Sequence, residues 1–181
     1  MKNVLYILRL AATLLLITAV VAAALAGVNG FTGPMIEKIN AEKTQKAIEA
    51  VLPGGGALLE SFPNESGIVQ AVYASDKGYA IQVAPVGFSG QIVMMVGVID
   101  GKVYDISVIN HGETPSLGAE AAANNEKGRS FREQFAGLDG MLAVTKDGGT
   151  INAITGSTIT SRAVCDGVNI AYAVLAELGL G

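Results

Sequence analysis

Seven consecutive residues near the C-terminus, Thr155-Gly156-Ser157-Thr158-Ile159-Thr160-Ser161, carry five hydroxyls around one glycine. Their flanks are apolar, Ile151 and Ile154 on one side and Ala163 and Val164 on the other. Downstream, Val164, Val168, Ala171, Leu175 and Leu178 recur at steps of four, three, four and three, which predicts a helix over 159–178. The cluster therefore lies where a strand gives way to the first turn of a helix. That turn leaves backbone N–H groups without partners, and the helix dipole makes the same end positive. A phosphate suits such a place, with Gly156 letting the backbone approach and Ser and Thr adding donors. The competing account is an ordinary N-cap, which uses one or two hydroxyls rather than five. The chain contains no GxGxxG and no GxxxxGK[ST], so dinucleotide and nucleoside-triphosphate folds lack support.

A second polar stretch, His111 to Gly118 (HGETPSLG), places a carboxylate and a hydroxyl beside the turn former Pro115. Glu113 reads either as a ligand contact or as a solvated surface carboxylate. His111 is the sole histidine and Cys165 the sole cysteine, which excludes a multi-histidine metal or haem site, a Cys-rich metal site and an internal disulfide. Cys165 reads as a small buried apolar group, and His111 as a loop histidine with its hydrogen bonds satisfied.

The elements that must position these residues follow from pattern. Strand-like runs at 68–74 and 79–84 are separated by Ser-Asp-Lys-Gly, and runs at 91–99 and 103–109 are joined by Asp100-Gly101, a hairpin signal. Runs at 141–145 and 150–154, around Asp147-Gly148-Gly149, predict one more hairpin. Hairpins imply an antiparallel sheet. Short helices are expected within 111–138, the better one at 129–135. A helix over 35–52 is stopped by Pro53 and three glycines. The expected fold is α+β.

The front of the chain is different. No charged residue occurs from Leu10 to Ile36, and the mean hydropathy of the whole chain is +0.45. Nineteen residues of helix from Leu10 to Val28 span roughly 28 Å, a bilayer core. Ala24-Leu25-Ala26 would fit a signal-peptidase site, yet the apolar run exceeds the usual signal core of about 7–15 residues, so a permanent anchor is expected. Gly27 to Pro34 predicts a break after it. The organisation is then an anchor over 1–30, a connecting helix over 31–56 and a domain over 57–181. Lys2 and Arg9 precede the apolar run and all sixteen acidic residues follow it, which places the N-terminus in the cytoplasm and the domain outside. With those two set aside, ten basic residues face sixteen acidic ones, a balance near −6 that argues against nucleic-acid binding, which needs a basic surface. A single span without an acidic residue makes no ion pathway.

TGSTITS (155–161) resembles the S/T-G-A-T-x-T-S motif of the FMN-binding domain family, and Ile-Asn-Ala-Ile before it is similar to the family's Asp-Ala-Ile. HGETPSLG resembles the family's H-x-E-T-P-G-L-G, and GFSGQIVMMVGVIDGKV (87–103) its G-F-G/S-G-x-I strand entry. GVNGFTGPMIEKIN (27–40) looks like the membrane exit of the same proteins. Asn152, Ser157 and Ser116 stand where the family has Asp, Ala and Gly. Within the family the likeness is greatest to the branch found in Rnf electron-transport complexes. The members found in Na⁺-translocating NADH:quinone oxidoreductases, as their C subunits, are longer relatives.

The resemblance implies FMN joined through a phosphoester to Thr158, with Ser157 as the neighbouring alternative, installed by a separate flavin transferase. Thr155, Gly156, Thr160 and Ser161 would surround the phosphate, and Glu113, Thr114, Leu117 and Gly118 would lie along the flavin. It implies no catalytic residue and no metal ligand in this chain. The role implied is that of an electron relay in an inner-membrane translocase passing electrons from ferredoxin to NAD⁺ and driving Na⁺ or H⁺ outward, beside its other membrane and peripheral subunits. The same cofactor on a different membrane machine, or a non-redox anchored domain whose hydroxyls only cap a helix, are the alternatives.

Overall fold

A computed structural model of the chain describes residues 2–61 and 67–180. Two compact units divide between Glu42 and Lys43.

The first unit is helical. It belongs to α1 (Lys2–Val51), which carries Pro34 inside it. The helix is long and apolar enough to cross a membrane, with a mean hydropathy of 2.4 over its most apolar window and none of that window buried. Apolar side chains point outward all round, including Leu14, Leu15, Ile17 and Leu25, the pattern of a helix whose solvent is lipid. The break expected at 27–34 is absent. Inside or beside a bilayer, freed N–H and C=O groups find no water, so the backbone keeps its own hydrogen bonds across the glycines and the proline. Thr13, Thr18 and Thr32 follow the same economy, each hydroxyl donating to a carbonyl three or four residues back.

The second unit is a five-stranded antiparallel sheet in sequential order. Its strands are β1 (Ala57–Ser61), β2 (Val69–Ala74), β3 (Tyr79–Val83), β4 (Val93–Ile99) and β5 (Lys102–Asn110). The two hairpins read from turn chemistry form, β2–β3 and β4–β5. At the second, Asp100 and Gly101 both have positive φ, 52° and 72°, as a two-residue I′-type turn requires. β1 was not expected: Ala-Leu-Leu-Glu-Ser does not alternate, and it pairs as a short edge strand with a register shift.

Alternation on the inner strands sorts two cores. Ile81 and Val83 of β3 and Met94, Val96 and Val98 of β4 face one way, onto α3 (Thr158–Glu177) through Val164, Val168, Ala171 and Leu175. Ala80 and Met95 face the other way, onto the last turns of α1 through Ala47, Ile48, Val51 and Leu52. The glycine at position 97 is what lets those turns close on β4, since a Cβ there would collide with the Val51 carbonyl.

A short 3-10 helix (Gly118–Ala122) and α2 (Glu126–Glu133) follow β5, and Phe131 and Phe135 enter the larger core edge-to-face. α2 begins earlier than 129 because Asn125 caps it, its side chain accepting from Gly128 N–H at 2.9 Å.

The third expected hairpin is a correction. Residues 145–147 make a 3-10 turn, and Val144 meets Ile151 in one parallel bridge. Gly148 in the left-handed region and Gly149 pressed against Ala143 coil the chain rather than return it antiparallel.

Candidate functional site

The hydroxyl cluster opens with a tight turn. Ser157 N–H donates to the Ile154 carbonyl at 2.9 Å, and Gly156 takes φ +79°, which a residue with a Cβ resists. α3 starts at Thr158 without any side-chain cap; Ser157, at the cap position, makes no such bond. The capping account of the cluster therefore fails for this helix.

What the hydroxyls do instead divides them. Ser161, fully buried, donates to the Ser157 carbonyl at 2.9 Å and accepts from Ile154 N–H at 3.0 Å, bracing the turn from within. Thr160, equally buried, donates to Glu113 Oε2 at 2.5 Å. Ser157 Oγ is buried and has no hydrogen-bond partner among the described residues. Thr158 is half-buried, and its Oγ1 accepts from Lys146 Nζ at 3.2 Å.

Glu113 reaches the cluster from the loop after β5. It is only 6% exposed, so the solvated-carboxylate reading does not hold. Its Oε1 accepts from Ser89 N–H at 3.0 Å, which ties the 87–90 turn to the same point. Gly87 and Gly118 give it room, because a Cβ at either would strike its carboxylate. His111 Nδ1 accepts from Glu113 N–H at 3.2 Å, the satisfied loop histidine expected.

These elements enclose a cavity of about 390 Å³, within the roughly 300–1,000 Å³ usual for small-molecule sites. Glu113, Thr114, Leu117, Gly118, Gly156, Ser157, Thr158 and Thr160 all line it. Thr155 does not; it borders a neighbouring depression with Ser116 and Asn152. Phe88, Lys146 and Ile159 line the cavity as well and were not singled out in the sequence. Phe88 lies in a quoted motif, but nothing local marks Lys146, nine residues before the turn opens at Thr155. A larger cleft of about 750 Å³ lies by the far end of α3, against Tyr172 and Leu175, away from the hydroxyls. Its size does not make it the site, since none of the motif residues of the hydroxyl cluster or the Glu113 loop reaches it.

The donor set fits a flavin mononucleotide. An uncapped helix start, an unpartnered buried hydroxyl and a lysine ammonium suit a phosphoryl group. Phe88, Leu117 and Ile159, all well exposed, offer an apolar edge suited to a flat aromatic ring.

An antiparallel sheet carrying such a pocket at a helix start is the architecture of a flavin-binding domain. Residues 87–173 match the FMN-binding domain family, and the chain belongs to that family. It is 33% identical over 195 residues to the G subunit of the Na(+)-translocating ferredoxin:NAD(+) oxidoreductase complex of Acetobacterium woodii, covering 95% of this chain and 93% of that protein. It is 29% identical to the G subunit of the ion-translocating oxidoreductase complex of Methanosarcina acetivorans, over 88% of this chain and 89% of that one. The counterpart from the proton-translocating ferredoxin:NAD(+) oxidoreductase complex of Clostridium ljungdahlii is 41% identical over 105 residues, 53% of this chain and 55% of that protein.

Proposed function

We propose that this chain is the electron-carrying G subunit of a membrane-bound, ion-translocating ferredoxin:NAD⁺ oxidoreductase of the Rnf type, with FMN held as a phosphoester on Thr158. The observation that carries the reading is the setting of Thr158: it lines the cavity at an uncapped helix start, beside the unpartnered Ser157 Oγ. Bound FMN supplies the acceptance and release of electrons. The protein's residues would supply position: Leu117 and Phe88 would shield the ring and Ser157 and the α3 amides would hold the phosphoryl group, while Glu113 ties the Ser89 turn to Thr160. Gly156 keeps the approach to Thr158 open.

A phosphoester to a threonine needs an activated donor. A flavin dinucleotide carries its phosphoryl group in an anhydride, so a flavin transferase acting on it completes the modification. The tether makes sense where free flavin is scarce, which agrees with a domain on the outer side of the bilayer. Lys2 and Arg9, ahead of the apolar helix, favour that orientation. The other membrane and peripheral subunits would bring the electron donor and acceptor, since this chain carries no dinucleotide motif and no cysteine cluster of its own. The coupling ion is set elsewhere too, because the apolar part of α1 from Leu10 to Ile36 carries no charge.

The full chain produced with a flavin transferase is expected to gain the mass of one FMN less one water and to fluoresce after denaturing electrophoresis. Thr158→Ala should lose both signals and Thr158→Ser keep them. A dark wild-type band, or an Ala variant that still fluoresces, would remove the proposal. Co-purification of ferredoxin- and NAD⁺-reactive subunits separates the Rnf assignment from another flavin-carrying complex.

A further inference from the structure

Of the described residues lining the cavity, Lys146 carries the one basic side chain, and no motif assigns it a role. It sits on the 3-10 turn Thr145–Asp147, twelve residues before Thr158 in sequence, yet its Nζ donates to the Thr158 Oγ1 at 3.2 Å. The turn is not free to wander. Its next residue, Asp147, accepts from Arg162 Nε and Nη2, both at 2.6 Å. Arg162 lies four residues after Thr158 on α3, hence on the same face one turn along. At the other end of the turn Thr145 N–H donates to the Ile151 carbonyl at 2.8 Å. Lys146 and Asp147 thus grip Thr158 and Arg162 as a two-point staple.

We infer that Lys146 is a positioning residue for flavin attachment, holding the Thr158 oxygen in place and balancing the negative charge that gathers there as the phosphoester forms. The inference rests on the Thr158 reading above. In the step concerned, Thr158 Oγ1 bonds to the flavin-side phosphorus of a flavin dinucleotide. The anhydride P–O bond breaks, a nucleoside monophosphate leaves, and the hydroxyl proton passes to a base on the transferase; nothing is oxidised or reduced. A lysine ammonium has three donors and no acceptor, so the contribution of Lys146 to this step is charge and direction. After attachment the phosphodiester keeps one negative charge, and the same ammonium is the group within reach to balance it.

The test uses the full chain, a flavin transferase and flavin dinucleotide, reading covalent flavin by intact mass over time. Lys146→Met, which keeps the stem and removes the charge, should lower the maximal rate about tenfold or more, the loss typical of a charge-assisted hydrogen bond. The chain concentration at half-maximal rate should not move. Lys146→Arg should restore the rate to within a few-fold, and Asp147→Asn, which loosens the staple with Lys146 intact, should slow it. Lys146 is exposed, so the unlabelled Lys146 variants should melt with the wild type. A Met variant labelled at the wild-type rate overturns the inference. So does an Arg variant as slow as Met, or a change confined to the half-maximal concentration, which would mean docking of the transferase. A wild type that takes no flavin removes the Thr158 reading itself, and this inference with it.

Discussion

Glu113 has both carboxylate oxygens engaged within the protein, one by Ser89 N–H and one by the Thr160 hydroxyl. Its substitution therefore tests the scaffold of the site rather than a ligand contact. Glu113→Ala leaves the buried Thr160 hydroxyl and the Ser89 N–H without their acceptor and is expected to cost about 2–3 kcal/mol, while Glu113→Gln keeps the shape and one acceptor and should cost about 1 kcal/mol. Thermal unfolding in detergent checks the order, and an Ala variant melting with the wild type would refute it. Much of this residue-level picture was legible from sequence: Thr158, Gly156 and the Glu113 loop carry recognisable local patterns. Glu113's burial was not, because it depends on Gly87 and Gly118 closing on it from two separate loops. Ser161 shows the same limit: expected around the phosphate, it is turned wholly into the core and does not line the cavity. Cys165 behaved as read: buried, with desolvation pushing its thiol up to about 12.

At the scale of elements, two contacts decide where the pieces lie. The Asp147–Arg162 pair fixes the 3-10 turn on α3, and its hydrogen bonds hold the Asp147 carboxyl below its ordinary value. A depressed carboxyl contributes above the unfolded value, near 3.9, and loses that contribution as pH falls through the folded-state value. An NMR titration of the Asp147 side chain should find its midpoint below about 3.9, returning there in Arg162→Gln; a wild-type midpoint at or above that value would show the pair is not formed in solution. The second contact is Gly97 under the Val51 carbonyl. Gly97→Ala should lower stability by about 1–3 kcal/mol through overpacking, seen as a lower melting midpoint; an unchanged midpoint would mean that the last turns of α1 do not seat there. Hairpins β2–β3 and β4–β5 were readable because turn residues state their geometry locally. The 141–154 segment misled because Asp-Gly-Gly also suits a 3-10 coil, and the choice was made by Gly149 packing on Ala143. The glycines and proline at 27–34 misled for a different reason: their breaking tendency presumes water, and a lipid-facing backbone has none to turn to.

For the whole molecule, the apolar helix and the acidic remainder predict different partners for different parts. An anchored chain should stay with membranes through high-salt and alkaline washing and come off with detergent; release by salt alone would contradict the anchor. The apolar front of the chain was plain from composition, since charge is missing from Leu10 to Ile36 and plentiful beyond it. The order of layers was not, because both faces of β3 and β4 are apolar and only packing assigns one to α1 and the other to α3. That second assignment has a consequence for mutagenesis. α3 carries Thr158 at its first residue and borders the large cleft near Tyr172, fourteen residues on, about 21 Å along the axis. The two openings share no lining residue, so a substitution in the wall of one leaves the wall of the other intact.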